Sequence, residues 1–311
     1  MLSRVADSLY WMSRYLERTD GILRMLKMNY ASSQDDRQSF TWRPVLKIFS
    51  SLSEAELDHF SEDGREVLRY MLIDKENPNS VLNMVTRSRE NARAVQDHIT
   101  KEVWQCLNEF YHLVKNENLP LQLQHEDPIT ILDGLIRQGQ LYYGTTEVTM
   151  ARGEGFCFIN IGKYLERAIQ TADVLDVKFS NLSAGSNPTS YTTFWKYLLL
   201  SVSGYELYLK SYRSGFEARN VAEQTLFNNQ FPRSVSYSVN QLHRYFERLG
   251  NSGNQPGYQE LMFRIGKLRS RVQYSKIDEV LEQGLHPYLK DIRHDLYAIG
   301  SALNQHYFAY R

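Results

Sequence analysis

The stretch from residue 2 to residue 26 reads LSRVADSLYWMSRYLERTDGILRML, and it decides the fold class. Its apolar side chains recur at spacings of three, four and seven residues: Leu2, Val5, Leu9, Met12, Leu16, Leu23 and Leu26. This spacing places them along one side of an α-helix. The stretch therefore predicts a long amphipathic helix with one face in a core.

Further runs along the chain repeat this helical period, and strand-like alternation between turn residues is scarce. These runs are 80–113, 156–177, 194–212 and 277–310. Connections are predicted where Asn, Ser, Gly, Pro and Asp cluster, at 31–40, 116–128, 180–193 and 250–257. The sequence therefore predicts an all-α helical bundle of about ten helices with little or no sheet.

Two helix starts carry specific local signals. Ser53 followed by Glu54 and Glu56 predicts an N-cap with acidic residues in the first turn. Asp127 followed by Pro128 predicts a cap with proline at the first helical position.

An internal repeat indicates that the bundle arose by duplication. The segment Arg14-Tyr15-Leu16-Glu17-Arg18 recurs as Lys163-Tyr164-Leu165-Glu166-Arg167, 149 residues later. Further on, Asn79-Ser80-Val81 is echoed by Arg233-Ser234-Val235 after a similar interval of 154 residues. We therefore predict two related helical halves, residues 1–125 and 126–311, as two domains or as one continuous domain.

Composition limits the classes of protein to consider. The 311 residues are 42% apolar and 23% charged, which suits a packed core. Lys plus Arg and Asp plus Glu each number 36, and this balance argues against bulk affinity for nucleic acid or an anionic membrane. Two cysteines, no signal sequence and no apolar span of about 20 residues predict a cytoplasmic protein with free thiols.

The repeated Glu-Arg pairs are the main candidate site. Neighbouring residues are about 100° apart on a helix, so Glu17 and Arg18 flank the apolar stripe and should reach different helices. If the two halves pack about a pseudo-two-fold axis, Glu17 and Arg18 could meet Arg167 and Glu166 near that axis. One interpretation is an ion-pair network that fixes helix register. The other is a polar cleft that binds an anionic or amide-bearing ligand, with Glu17 or Glu166 as general acid or base.

Other charged side chains complete the predicted binding set. Besides the two Glu-Arg pairs, the candidates are Arg14, Arg87, Glu90, Arg93, Arg152, Glu154, Lys163 and Arg233. The cluster around Glu90 could grip a phosphate or carboxylate, but a solvated face of surface pairs is the preferred interpretation, because exposed ion pairs are common. Arg233 follows Pro232 at a predicted helix start, where backbone N–H groups favour an anion.

Several kinds of site are set aside. Glu109 and His112 have the spacing of a di-iron helix, but a second such pair and two more inward glutamates are missing. No Gly-rich phosphate loop and no nucleophile elbow is present. We therefore predict no metal and no cofactor. The basic stretch from Arg264 to Lys276 could contact nucleic acid or an acidic partner, but at zero net charge a solvated face is the preferred interpretation.

Blocks of sequence along nearly the whole chain resemble one family. They include Met1-Leu2-Ser3-Arg4-Val5-Ala6, Arg89-Glu90-Asn91-Ala92-Arg93, Arg152-Gly153-Glu154-Gly155-Phe156, Leu175-Asp176-Val177-Lys178 and Phe231-Pro232-Arg233-Ser234-Val235, together with both Tyr-Leu-Glu-Arg segments. This pattern resembles the Alpha-E family, a bacterial helical domain named for its helices and its Glu-Arg motif. The sequence departs from it at Lys163, where Arg is usual, and at Ala168-Ile169, which lacks the usual acid beside Arg167.

The resemblance implies a context more than a reaction. Genes of this family usually lie beside a circularly permuted ATP-grasp protein, and often beside a transglutaminase-like protease and a proteasome-like hydrolase. The leading hypothesis is an accessory or binding subunit for amide-bond synthesis or peptide modification, presenting a Glu/Arg-lined cleft to a peptide or to the ligase. The alternatives are a stand-alone enzyme that uses Glu17 or Glu166, and a purely structural helical oligomer.

Overall fold

A computed structural model describes residues 1–35, 40–60, 63–180, 188–213, 215–250 and 257–308, the side chains of 188–191 excepted. The described residues form α-helices and contain no strand, which confirms the all-α prediction. Parts of three predicted connections, residues 36–39, 181–187 and 251–256, lie outside the described residues.

The chain divides into two compact units. One consists of Tyr15–Ala151, and the other combines Met1–Arg14 with Arg152–Arg311. We call them the middle unit and the outer unit. Helix α1 (Ser3–Asp35) contributes its first residues to the outer unit and its remainder to the middle unit.

The middle unit continues with seven helices after α1. They are α2 (Arg43–Phe49), α3 (Glu54–Phe60), α4 (Gly64–Ile73), α5 (Val81–Ala94), α6 (Lys101–Val114), α7 (Leu119–His125) and α8 (Pro128–Thr149). Its core forms where α6 packs against both α5 and α8, with α4 against α5 and α7. The predicted caps are confirmed, since the Ser53 hydroxyl accepts from the Glu56 N–H and the Asp127 carboxylate from the Ile129 and Thr130 N–H groups.

The outer unit is organised around one long buried helix. Its helices after α1 are α9 (Glu154–Ser180), α10 (Pro188–Ser201), α11 (Tyr205–Ser211), α12 (Ala218–Phe227), α13 (Val235–Gly250), α14 (Tyr258–Tyr274), α15 (Ile277–Gln283) and α16 (Leu285–Leu303). Helix α9 is buried on most of its surface, packs against α13 and α16, and is therefore the helix around which this core is built.

The described residues contain sixteen α-helices, so the prediction of about ten was wrong. Long periodic runs are interrupted by local backbone turns that periodicity does not reveal. The run 80–113 is broken at Val95 and by a 3-10 turn, Gln96–His98, before Thr100 caps α6. The run 277–310 is broken at Gly284, whose φ of 99° is left-handed and ends α15.

The inferred duplication and its halves, 1–125 and 126–311, stay a prediction. Both cysteines are free and buried, as expected for thiols inside helical patterns. No helix among the described residues combines the length and apolar character that a membrane crossing requires.

Candidate functional site

The second Glu-Arg segment lies in the middle of α9, where Glu166 is almost completely buried, with 1% of its surface exposed. Its carboxylate oxygen Oε2 accepts a hydrogen bond of 2.8 Å from Nε of Arg14 and lies 2.6 Å from Nη2 of the same guanidinium. Arg14 is the first residue of the first repeat segment, and it is buried as well. We call Arg14 and Glu166 the motif pair. It ties α1 to α9 within the outer unit.

Two aromatic rings next to Arg14 complete its surroundings. The guanidinium carbon lies 4.7 Å from the ring centre of Trp11 and 5.5 Å from that of Tyr10, and Nη1 donates to the Tyr10 hydroxyl at 3.1 Å. Burial lowers the pKa of Arg14, but the neighbouring Glu166 carboxylate more than offsets it, and the net pKa is raised. For Tyr10, burial acts in the other direction and raises the pKa of the phenol. Arg14 therefore stays charged and the phenol neutral at physiological pH.

A glycine lets α9 come this close to α1. A Cβ atom added to Gly162 would lie 2.4 Å from the backbone oxygen of Tyr10 and 3.3 Å from Cγ of Arg14. Any side chain at this position would collide with backbone, which cannot rotate away. Gly162, one turn before Glu166, therefore sets the helix separation at which the motif pair forms.

More carboxylates follow Glu166 along α9. Asp173 and Asp176 lie seven and ten residues after it, and both contact Arg293 of α16, at 3.1 Å and 2.6 Å. Asp176 also lies 2.5 Å from Nδ1 of His286, at the start of α16. We call Asp173, Asp176, His286 and Arg293 the α9–α16 cluster.

Asp173 is the member of this cluster whose ionisation is most perturbed. Burial raises its pKa to about 6; the hydrogen bond and the charge of Arg293 lower it, and the charges of Glu166 and Asp176 raise it further. An aspartate with this pKa is partly protonated just below neutral pH. Of the four cluster residues, only Asp176 stood out in the sequence, and only within a block that resembles the family. A signal was available in the helical spacing of the carboxylates.

The first Glu-Arg segment lies in α1, within the middle unit. Glu17 is also 1% exposed, and Oε2 of its carboxylate accepts a hydrogen bond of 2.6 Å from the hydroxyl of Tyr143 on α8. Arg18 is half-buried. Glu17 and Glu166 thus belong to different units, and their predicted convergence stays a prediction. Within its own unit, each glutamate is held by a neighbouring helix.

The basic cluster around Glu90 lies in α5 of the middle unit. The Glu90 carboxylate is 2.8 Å from Nη1 of Arg89 and 3.6 Å from Nη1 of Arg93, and Arg93 and Glu90 are both exposed. Arg89 also donates to Asn108 at 2.8 Å and lies over the ring of Tyr111. These contacts fit the interpretation as a solvated face of surface pairs.

Arg87, in the same helix, is also exposed. Its guanidinium carbon lies 5.9 Å from the ring centre of Tyr15.

The remaining candidates in the outer unit are held mainly by rings and backbone. Lys163 and Arg167 both lie beside the ring of Tyr164, at 4.5 Å and 5.3 Å from its centre. Nη1 of Arg167 donates to the carbonyl of Pro232 at 3.1 Å, and Thr171 donates to the carbonyl of Arg233 at 2.9 Å. The structure therefore brings Arg167 to the segment that carries Arg233, just before α13.

Arg152 and Glu154 lie at the start of α9. The guanidinium carbon of Arg152 is 4.1 Å from the ring centre of Phe156, and the Glu154 carboxylate is 2.8 Å from the amino group of Met1. Within the described residues, no three His, Cys, Asp or Glu side chains are grouped so that they could hold a metal ion.

Comparison with known proteins adds a family and distant relatives. A family model described as a predicted alpha-helical domain with a conserved ER motif matches residues 1–308. Uncharacterized proteins of Mycobacterium bovis and of Mycobacterium tuberculosis strain CDC 1551 are each 23% identical over 317 residues. The match covers 95% of this chain but 35% of each relative, so the chain spans about a third of their length. No solved structure matches the chain.

Proposed function

We propose that this chain, which belongs to the Alpha-E family, is a binding subunit that assists an ATP-grasp ligase in forming or modifying peptide amide bonds. The ligase would be the circularly permuted ATP-grasp protein that the family context implies. A peptide is the proposed ligand, and a transglutaminase-like protease is a further proposed partner.

The burial of the motif pair is the observation that carries this proposal. A general acid or base must come within hydrogen-bonding distance of the substrate, about 2.6–3.2 Å or through one water. Glu166 is 1% exposed, and its Oε2 is already held by two nitrogens of Arg14. A group placed in this way fixes the register of two helices more readily than it transfers protons to a bound ligand.

The size of the mycobacterial relatives also supports an accessory role. Their matching region is about a third of a longer chain, so in those proteins the helical domain accompanies other segments. A domain that works beside others suits a subunit that presents a ligand to a catalytic partner.

Copurification and activity together test the proposal. The full chain would be coexpressed with a circularly permuted ATP-grasp protein, and the complex isolated through a tag on the ligase. We expect the two proteins to elute together and ATP-dependent product formation, followed by mass spectrometry, to rise at least severalfold. If neither happens, the proposal is wrong.

Two further measurements separate the alternatives. Purified alone and incubated with candidate peptides, the chain should leave their masses unchanged; a mass change would establish the stand-alone enzyme instead. A Glu166→Gln variant that still folds, as judged by circular dichroism, should keep most of the stimulation. If the folded variant loses it while still binding the ligase, Glu166 acts on the substrate and the accessory role is wrong.

A further inference from the structure

An open groove runs along α14, between that helix and α13, and has a volume of about 710 Å³. We call it the α14 groove. The lining residues used below are His243, Phe263, Lys267, Arg269, Ser270 and Tyr274. All except His243, which belongs to α13, come from α14. The groove is part of the outer unit and shares no residue with the candidate site.

Two aromatic rings stand unusually far out of the protein along this groove. Phe263 is 71% exposed and Tyr274 is 77% exposed. Positions 263, 267, 270 and 274 follow helical spacing, so one face of α14 carries both rings with Lys267 and Ser270 between them. Among the described residues, neither ring contacts another aromatic ring or a cation. Such rings offer a large apolar area that a partner could cover.

The positive charge in the groove lacks a matching acid. Lys267 is exposed and forms no ion pair within the described part of the chain. Nε of Arg269 donates to the neutral amide oxygen of Asn240 at 2.8 Å, which leaves the arginine charge uncompensated. No carboxylate is among the residues that line the groove. Burial, followed by the charge of Arg269, lowers the pKa of His243, whereas the charge of Glu247, on the same helix, raises it.

The neighbouring arginines of α14 are, by contrast, already neutralised. Arg264 lies 2.7 Å from Glu260, and Arg271 lies 3.0 Å from Asp295 and 3.8 Å from Asp291. The helix therefore presents two uncompensated cations beside two exposed rings. Nucleic acid binding draws on many phosphate contacts along the backbone, and two uncompensated cations can supply few of them. A short segment with a few carboxylates and a bulky apolar side chain matches the groove better.

We propose that the α14 groove is a docking site for an acidic peptide segment of a partner protein that carries a bulky apolar side chain. Its carboxylates bind Lys267 and Arg269, and its apolar side chain packs against Phe263 and Tyr274. This assignment goes beyond the ligase proposal and does not depend on it, because it concerns the surface that binds a segment and not the reaction that follows.

Selection from a random peptide library tests this docking site. Phage displaying random dodecapeptides would be selected on the full immobilised chain, and the three most enriched peptides synthesised with a fluorescent label. We expect them to contain an excess of Asp and Glu together with Leu, Phe or Trp. Fluorescence anisotropy should show binding that weakens severalfold between 50 and 200 mM salt, because ion pairs at an exposed surface are screened.

Variants then locate the binding surface. Lys267→Glu and the double variant Phe263→Ser with Tyr274→Ser should each weaken binding at least tenfold. Lys101→Glu is the matched control, because Lys101 is exposed on α6 of the middle unit and the charge reversal is the same; it should change binding less than twofold. All four positions are exposed, so folding should be preserved, and circular dichroism would confirm it.

Three outcomes would overturn the proposal: no enriched peptide, enriched peptides without an acidic excess, or affinities that the groove variants leave unchanged. A single-stranded oligonucleotide of 20 nucleotides provides the competing probe. If it binds more tightly than the enriched peptides and Lys267→Glu abolishes its binding, the groove is a nucleic acid site and the peptide assignment is wrong.

Discussion

The motif pair and the α14 groove lie in the same compact unit and use similar side chains in opposite ways. Arg14 and Glu166 are buried and paired, and aromatic rings close around the guanidinium. In the groove, Lys267 and Arg269 have no acidic partner, and the rings of Phe263 and Tyr274 face outward. Charges that satisfy each other inside a fold specify helix register. Charges and rings left unsatisfied at the surface are available for another molecule.

Removing one member of the motif pair should have the largest effect on stability. Glu166→Ala leaves Arg14 buried without its carboxylate, and breaking a buried pair in this way costs about 3–5 kcal/mol. We expect the free energy of unfolding in urea, followed by circular dichroism, to fall by this amount.

The double variant Arg14→Met with Glu166→Leu is the control for this prediction. Apolar side chains of similar size remove both charges at once, so most of the lost stability should return. If Glu166→Ala costs less than about 1 kcal/mol, the pair is not the structural link that its burial indicates.

The α9–α16 cluster gives a second, pH-dependent prediction. The folded pKa of Asp173 is about 6, against an ordinary value of 3.8. The stability that its proton provides is complete below pH 3.8 and is lost as the pH rises through 6. Asp173→Asn keeps an oxygen for Arg293 without this loss. Between pH 4 and pH 8, we expect the free energy of unfolding of the variant to rise by about 2 kcal/mol relative to that of the wild type. This is less than the full pKa difference would give, because 24% of the side chain is exposed to solvent.

Urea unfolding at several pH values would measure this difference. Asp291→Asn serves as the control, because Asp291 is 70% exposed and, among the described residues, its carboxylate is paired at 3.8 Å with Arg271. Its effect should not vary with pH by more than about 0.5 kcal/mol. A pH-independent effect of Asp173→Asn would contradict the perturbed pKa.

A methyl group at position 162 should weaken the close packing of α9 against α1, on which the motif pair depends. Gly162→Ala places Cβ against the backbone oxygen of Tyr10, and overpacking of this kind costs about 1–2 kcal/mol. Gly144→Ala in α8 is the matched control, since nothing lies within 4 Å of its added Cβ. It should stabilise the helix by about 0.5–1 kcal/mol. Thermal melts of both variants test the sign, and equal shifts would show that Gly162 has room.

Changes in the α14 groove should have the smallest effect on folding. Phe263→Ser and Tyr274→Ser remove rings that are mostly in water, so each should alter the free energy of unfolding by no more than about 0.5 kcal/mol. The same urea titrations measure this. A loss above about 1.5 kcal/mol would show that the rings support the fold and would remove the contrast with the motif pair.

Much of the fold could be predicted from local chemistry. Helical periodicity identified α1 and α9, and the caps at Ser53 and Asp127 were placed correctly because their signals lie within a few residues. The number of helices could not be predicted, because a left-handed turn such as that at Gly284 ends a helix without interrupting the apolar pattern of the run. Short helices such as α7 (Leu119–His125) form in a stretch that composition marks as a connection.

The candidate site was predictable by residue type but not by pairing. Glu166 and Arg14 were both candidates, and an ion-pair network was one of the two interpretations left open. Which arginine meets which glutamate depends on how α1 and α9 cross, and that depends on Gly162. The stretch that contains Lys267 and Arg269 was considered for an acidic partner but interpreted as a solvated face. Its other arginines are paired, and sequence alone does not show which cations lack partners.

The discontinuous outer unit has a consequence for synthesis on the ribosome. Arg14 and Glu166 are 152 residues apart, and the whole middle unit is made between them. At about 5–20 residues per second, Arg14 leaves the peptidyl transferase centre about 8–30 s before Glu166 is added. During that interval the amphipathic start of α1 has no α9 to cover it. A nascent chain should therefore expose this segment to chaperones until translation has passed α9.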